Sequence, residues 1–231
     1  MQCKYNVVMC GRFTLTAEPR HIEKRFGAKF ITTDWEPTYN AAPSQLLPVI
    51  LGRNPLENSE HEIVLARWGL RPTWAKNWKP QINARVETIE EKPMFRDAYR
   101  GRHCLVLADG YYEWKRDLGK PQPYRFVLRN RQPFAMAGIW EQPDFDDQVP
   151  TFAILTTKPN ELAAEVHDRM PVILPISAEH RWLTQTGHGV QLTFPLTYPA
   201  DEMRSYPVTP KVNKASFNEP DAILPLEPVI V

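Results

Sequence analysis

Residues 104–128 read CLVLADGYYEWKRDLGKPQPYRFVL. Three short runs rich in β-branched and aromatic side chains stand out here: Cys104–Leu107, Tyr111–Lys115 and Tyr124–Leu128. Turn-forming segments bound them, so each reads as a strand. Working outward, Ile63–Trp68, Phe134–Trp140 and Phe152–Thr157 have the same character. The connections are short, which suits antiparallel pairing more than βαβ crossovers. Helices are expected at Pro19–Phe26, closed by Gly27; at Glu161–Val166 after Asn160 as N-cap; and after Ser177 as far as Gly187. A fourth helical stretch covers Glu90–Tyr99, interrupted near Pro93. The expected fold is α+β, with an antiparallel, bent, barrel-like β-sheet core and a few flanking helices.

The chain has 231 residues and 42% hydrophobic content, enough for a sizeable core. Its 23 prolines are about twice the average frequency and are spread evenly, which signals many short elements with stiff turns. No apolar run approaches the roughly 20 residues of a membrane span, and MQCKYNVV at the start is too short and polar for a secretory signal. A cytoplasmic protein without membrane association is expected. Cys3, Cys10 and Cys104 form an odd, scattered set with no CxxC pair, which argues against a disulfide framework or a structural zinc site.

The net charge of +1 hides an uneven distribution. Residues 67–131 hold fifteen basic and seven acidic side chains, a surplus of eight, and residues 132–231 hold six basic and thirteen acidic, a deficit of seven. The middle third can build a positive face, or the asymmetry is simply a solvated surface.

Four segments place ionisable groups at element ends: Met9–Arg12 (MCGR), Ile82–Thr88 (INARVET), Ala108–Trp114 (ADGYYEW) and Val166–Pro171 (VHDRMP). Taken singly, each has an ordinary structural reading. Cys10 beside a glycine is a small buried residue. Asn83 caps a strand end, Arg85 and Glu87 form a cross-sheet ion pair, and Asp168-Arg169 closes a helix. Glu113 lies within an aromatic strand, either facing solvent or buried with a purpose; a carboxylate buried there would suit proton transfer near neutrality.

Together with Tyr39–Pro43 (YNAAP) and Trp68-Gly69-Leu70, these segments occur in an order that resembles the SOS response-associated peptidase family from Met9 to about Asn213. The resemblance implies that Cys10, exposed as an N-terminal residue, traps abasic sites in single-stranded DNA. It further implies active-site roles for Asn83, Glu113 and His167, and places Arg12, Arg85 and Arg169 near the DNA backbone. DNA contacts are likewise implied for Asn40, Pro43, Met94 and Trp114. An aromatic wedge is implied at Trp74; Ala75 follows where some relatives carry a second aromatic, so the wedge is smaller here or Trp78 contributes. The partner is single-stranded DNA containing abasic sites, the protein is expected to be a monomer, and no metal or organic cofactor is needed.

An N-terminal cysteine is a 1,2-aminothiol. Its α-amine has a reference pKa of about 7.7–8.0, against about 10.4 for lysine, so far more of it is neutral at physiological pH. The amine takes the aldehyde of the ring-opened abasic sugar as an imine, and the adjacent thiol closes a thiazolidine with a large effective-molarity advantage. Residues 1–8 would block that amine. They are expected to be an extension absent from, or removed in, the mature protein, leaving 9–231 as one domain. The rival reading is an N-terminal nucleophile hydrolase, either amidotransferase-like or a cysteine peptidase using Cys10 and His167. A non-catalytic DNA-binding module, in which Cys10 is inert, is the third.

Overall fold

The computed structural model describes residues 11–32, 35–52, 61–75, 78–116, 119–142, 149–185 and 194–226. Cys3 and Cys10 lie outside the described residues, and so does Gly187. The strands are β1 (Phe13–Leu15), β2 (Ala28–Phe30), β3 (Thr38–Ala41), β4 (Leu46–Leu51), β5 (His61–Trp68), β6 (Asn83–Arg85) and β7 (His103–Ala108). They continue as β8 (Gly110–Lys115), β9 (Gln122–Leu128), β10 (Phe134–Glu141), β11 (Thr151–Thr157), β12 (Met170–Pro171), β13 (Ile173–Leu174) and β14 (Met203–Pro207). Among the described residues four α-helices flank them: α1 (Pro19–Phe26), α2 (Pro93–Tyr99), α3 (Glu161–Ala164) and α4 (Ile176–Thr184).

One sheet has the order β14-β9-β8-β1-β3. The other runs β12-β11-β10-β7-β4-β5-β2, with β13 on β10 and β6 on β11. Most pairings are antiparallel, as expected. Three are parallel: β2 with β5, β6 with β11, and β11 with β5. The last, pairing Thr151 with Arg67 and Phe152 with Trp68, joins the two ends of β11-β10-β7-β4-β5 and bends the sheet into a ring.

The period-2 alternation of the strands sorts side chains into two cores. Leu105 and Leu107 of β7, Ala135 and Ala137 of β10, and Ala153 and Leu155 of β11 face one core, which Phe95 of α2, Trp182 of α4 and Ile22 of α1 cover. The intervening residues Cys104, Val106, Met136, Phe152 and Ile154 face a second core shared with Phe13, Tyr111 and Phe126 of the other sheet. Because both faces of β7, β10 and β11 are covered, these strands read as nearly continuous apolar runs.

Helix boundaries follow local chemistry. Gly27 adopts φ 58°, ψ 38°, the left-handed conformation that closes α1. Asn160 caps α3 by accepting from the Ala163 main-chain N–H at 2.8 Å, although the helix ends at Ala164 and a turn follows. Two expectations need correction. Pro93 does not interrupt a helix; it starts α2, in the first position, where its missing N–H has no intrahelical partner to lose. α4 begins at Ile176, not after Ser177, because Pro175 already turns the chain out of β13 and into the helix, and it ends at Thr184. Among the described residues no helix is long and apolar enough to cross a membrane.

The chain passes from β7 in one sheet to β8 in the other through the single residue Asp109. Its carboxylate, 9% exposed, accepts from the Thr14 hydroxyl, the Thr16 main-chain N–H, the Thr16 hydroxyl at 2.7 Å, the Ala17 N–H at 3.1 Å and Arg125 Nη2 at 3.1 Å. Gly110 follows because a Cβ there would lie 2.7 Å from Arg125 Nε and 2.9 Å from Thr14 Oγ1. Asp109→Ala leaves Arg125 a buried, uncompensated cation and should cost about 3–5 kcal/mol in urea unfolding. Combining it with Arg125→Met should recover part of that loss, and equal losses in the single and double variants would show that the pair is not what holds the corner.

Candidate active site

Glu113 lies on β8 two residues from Tyr111, so the strand's alternation puts it on the inward face, while Tyr112 and Trp114 point the other way. It is 2% exposed. Of the two readings the sequence allowed, the carboxylate is the buried one. His167 reaches the same place from a distant part of the chain. It follows the turn after α3, where its N–H donates to Ala163 O at 2.9 Å. Its ring is buried, with Nε2 3.9 Å from Glu113 Oε2. At that distance the two are not directly bonded, yet both can reach one third atom at hydrogen-bond length.

Two groups meet the other ring nitrogen. The Arg169 main-chain N–H donates to Nδ1 at 3.2 Å, and the Asp168 carboxylate lies 3.0 Å from it. The first favours neutral imidazole with its proton on Nε2, the second the charged ring. Burial decides by holding the His167 pKa below its usual 6.5, against the pull of Asp168 and with Arg116 pushing the same way as burial. Asp168 is 82% exposed, so water screens its attraction. The ring is therefore neutral at physiological pH, with Nε2–H directed towards Glu113.

The pairing of β6 with β11 sets Asn83 opposite Ile154 and Arg85 opposite Thr156. β12 pairs with the opposite edge of the same end of β11, Thr156 opposite Pro171, so Arg85 and the segment leading into β12, with His167 and Arg169, flank that strand end from its two sides. Asn83 is half-buried and Arg85 exposed. The expected Arg85–Glu87 ion pair is not what forms. A 3-10 turn at Val86–Thr88 carries Glu87 off the strand, and its carboxylate takes both terminal nitrogens of Arg169, at 2.5 and 2.8 Å. That bidentate pairing holds the Glu87 carboxyl below its ordinary range.

Arg12, Asn40 and Trp114 form a second cluster, closed by a segment with no evident sequence signal, the 3-10 turn Pro210–Asn213. Arg12 Nη1 donates to Asn40 Oδ1 at 2.9 Å and Val212 O at 2.6 Å, and its Nη2 to Asn213 O at 3.2 Å. Asn40 is 1% exposed and its Nδ2 donates to the carbonyls of Val212, Lys214 and Phe217. Trp114 Nε1 donates to Asn213 Oδ1 at 2.6 Å. The described structure thus directs these three side chains towards the C-terminal segment.

Pro43 is half-buried just past β3, and Met94 is buried in α2 within the helix-covered core. Trp74 and Trp78 are 52% and 59% exposed, with ring centroids 5.5 Å apart at 77°. They stand on a loop pinched at its base by reciprocal bonds between Leu70 and Gln81, at 2.8 and 3.0 Å, two residues before Asn83. The pairing of β1 with β8 sets Phe13 opposite Tyr111, and the Tyr112 N–H donates to Arg12 O at 3.0 Å. One further step of that register brings buried Gly11 level with Glu113.

The SOS response associated peptidase (SRAP) family matches residues 9–215. The chain is 40% identical over 227 residues to a Bacillus subtilis (strain 168) protein named abasic site processing protein YoqW, covering 93% of this chain and 99% of that one. It is 27% identical over 260 residues to the Xenopus tropicalis abasic site processing protein HMCES, covering 93% and 78% respectively. In three dimensions it resembles a Bacteroides thetaiotaomicron protein with a TM-score of 0.79 at 25% identity, over 94% of this chain and all of that one. Glu113, His167, Asn83 and the strand that begins after Cys10 all fall within the matched span, and the chain belongs to the SOS response associated peptidase family.

Proposed function

We propose that this protein processes abasic sites in single-stranded DNA by linking itself to them through Cys10, exposed as its N-terminal residue. The observation that carries this reading is the register of β1 on β8. It brings Gly11 level with Glu113, and residue 10 is one peptide unit, about 3.8 Å between Cα atoms, from Gly11. Glu113, of the buried Glu113–His167 pair, thus stands level with the residue that follows Cys10 in the chain. The names of relatives at 27–40% identity, abasic site processing proteins, agree with the same substrate.

The chemistry follows from the residues. His167 Nε2–H hydrogen-bonds to the sugar ring oxygen as the hemiacetal opens to the aldehyde. The neutral α-amine of Cys10 adds to the aldehyde carbon, and loss of one water gives the imine; Glu113 carries the protons that this exchange moves. The thiol sulfur then adds to the imine carbon and its proton passes to nitrogen, closing the five-membered ring. Asn83 orients the amine or a sugar hydroxyl without titrating. The imine also acidifies the neighbouring carbon, which provides a route to strand cleavage by β-elimination, and the same residues can assist removal of residues before Cys10. Arg85, exposed at the end of β6, meets a phosphate, and Trp74 with Trp78 stacks on a base.

Proteins started at Met1 and at Met9 should behave differently with an abasic single-stranded oligonucleotide. The Met9 form, once trimmed to Cys10, should give an adduct that survives boiling in detergent; the Met1 form should do so only to the extent that intact mass shows trimming. Cys10→Ala should give no stable adduct, and a full yield from that variant would overturn the proposal. The pH–rate profile should rise from about pH 6.5 to 8 as the α-amine loses its proton. Because His167 is held below 6.5, it is already neutral across that range and gains charge only on further acidification. His167→Gln should therefore lower the plateau without moving the limb. Initial binding should weaken with salt at a logarithmic slope of about −0.7 for each phosphate contact; a slope near zero in anisotropy titrations would exclude the phosphate contacts.

A further inference from the structure

We propose that Glu87 is a positioning residue for His167, acting through Arg169; this rests on the reading of His167 given above. His167 sits in a stretch, 165–169, that lies between α3 and β12 and has no strand ladder of its own. Its tautomer and ring direction depend on the main-chain N–H of Arg169 at Nδ1, 3.2 Å away. What fixes that N–H is the Arg169 side chain. The buried guanidinium gives Nη1 to Glu87 Oε1 at 2.5 Å, Nη2 to Glu87 Oε2 at 2.8 Å, and Nη2 again to Thr156 O at 2.6 Å. The two oxygens of one carboxylate and a carbonyl of β11 thus define a plane that the guanidinium must occupy, and the fork geometry transmits that plane to the backbone.

Glu87 has the features of an anchor: its side chain is 39% exposed, yet both its oxygens are taken by the buried Arg169 guanidinium. Its carboxylate is adjacent to Arg85, which the proposed function gives to a DNA phosphate, and a negative charge there repels the same phosphates. If Glu87 only trimmed the local charge, removing it would help DNA binding and leave the chemistry alone. If it positions His167, removing it relaxes Arg169, misplaces the imidazole and slows the chemical step while binding stays the same or tightens. The two roles move opposite parameters.

The experiment is single-turnover crosslinking of the Cys10-terminated protein to an abasic single-stranded oligonucleotide, fitted for maximal rate and half-saturating concentration. It uses Glu87→Gln, which keeps the shape, Glu87→Asp, which keeps the charge, and Glu87→Ala. Glu87→Ala should lower the maximal rate about 10- to 100-fold, the range expected when a group is displaced by about 1 Å, with half-saturation unchanged or lower. Glu87→Asp should regain part of that rate and Glu87→Gln less. An unchanged maximal rate in Glu87→Gln and Glu87→Ala, with tighter half-saturation, would overturn the proposal. A 15N spectrum of the His167 imidazole, without DNA, provides the independent arm: wild type should show Nε2 protonated and Nδ1 as acceptor, and Glu87→Gln should lose that uniform signature. If no adduct forms even with wild type, the crosslinking reading fails while this spectrum still decides the positioning role; an unaltered spectrum in Glu87→Gln sinks it. A variant that unfolds is recognised by thermal melting, and the decision then rests on Glu87→Gln and Glu87→Asp.

Discussion

The corner at Asp109 is the constraint on which the site depends. Ala108 ends a strand of one sheet and Gly110 begins a strand of the other, so the chain changes sheets in one residue. A carboxylate buried at such a point is tolerable only when its oxygens are fully engaged, and here four donors from Thr14, Thr16 and Ala17 and the Arg125 guanidinium engage them. Three of those partners lie on β1 or just beyond it. The corner therefore locks β1 against β8 in one register, and that register brings Gly11 level with Glu113. A slip of one residue would turn Glu113 outward, because side-chain direction alternates along a strand.

Burial then sets the chemical character of the site. Glu113 and His167 face each other in a space from which water is largely excluded, and the imidazole is neutral because charging it there is costly. Neutrality leaves the ring with one N–H to donate and one nitrogen that accepts. The exposed Asp168 remains in contact with Nδ1 but is too well solvated to reverse that balance.

The arginines illustrate how charge is distributed in a small protein. Arg12 is bound to Asn40 and to two carbonyls of the C-terminal segment, Arg169 to Glu87 and Thr156, and Arg125 to Asp109 and Tyr206. Part of the basic surplus of the middle third is met by carboxylates from elsewhere in the chain, as Arg102 is by Glu141 at 2.6 Å. Counting basic residues along the sequence therefore overstates the charge left for a nucleic acid. Arg85 is the arginine among those singled out that stands exposed at the end of its strand.

Features set by local chemistry were legible from the sequence alone. Gly27 closes α1, Asn160 caps α3, and the apolar runs of β7, β9, β10 and β11 fall where their β-branched and aromatic content places them. The order of the six short motifs likewise identified the family. Tertiary structure alone decided which groups meet. Glu87 pairs with Arg169, 82 residues away, because a 3-10 turn carries it off the end of β6. Asn40 and Arg12 engage carbonyls of Val212 that lie 172 and 200 residues away. The ring closes through a parallel pairing of β11 with β5 that no turn announces. Propensity and capping act over a few residues and leave their mark in composition, whereas a long-range hydrogen bond is specified by where two surfaces come to rest, and the sequence around either partner carries no trace of it.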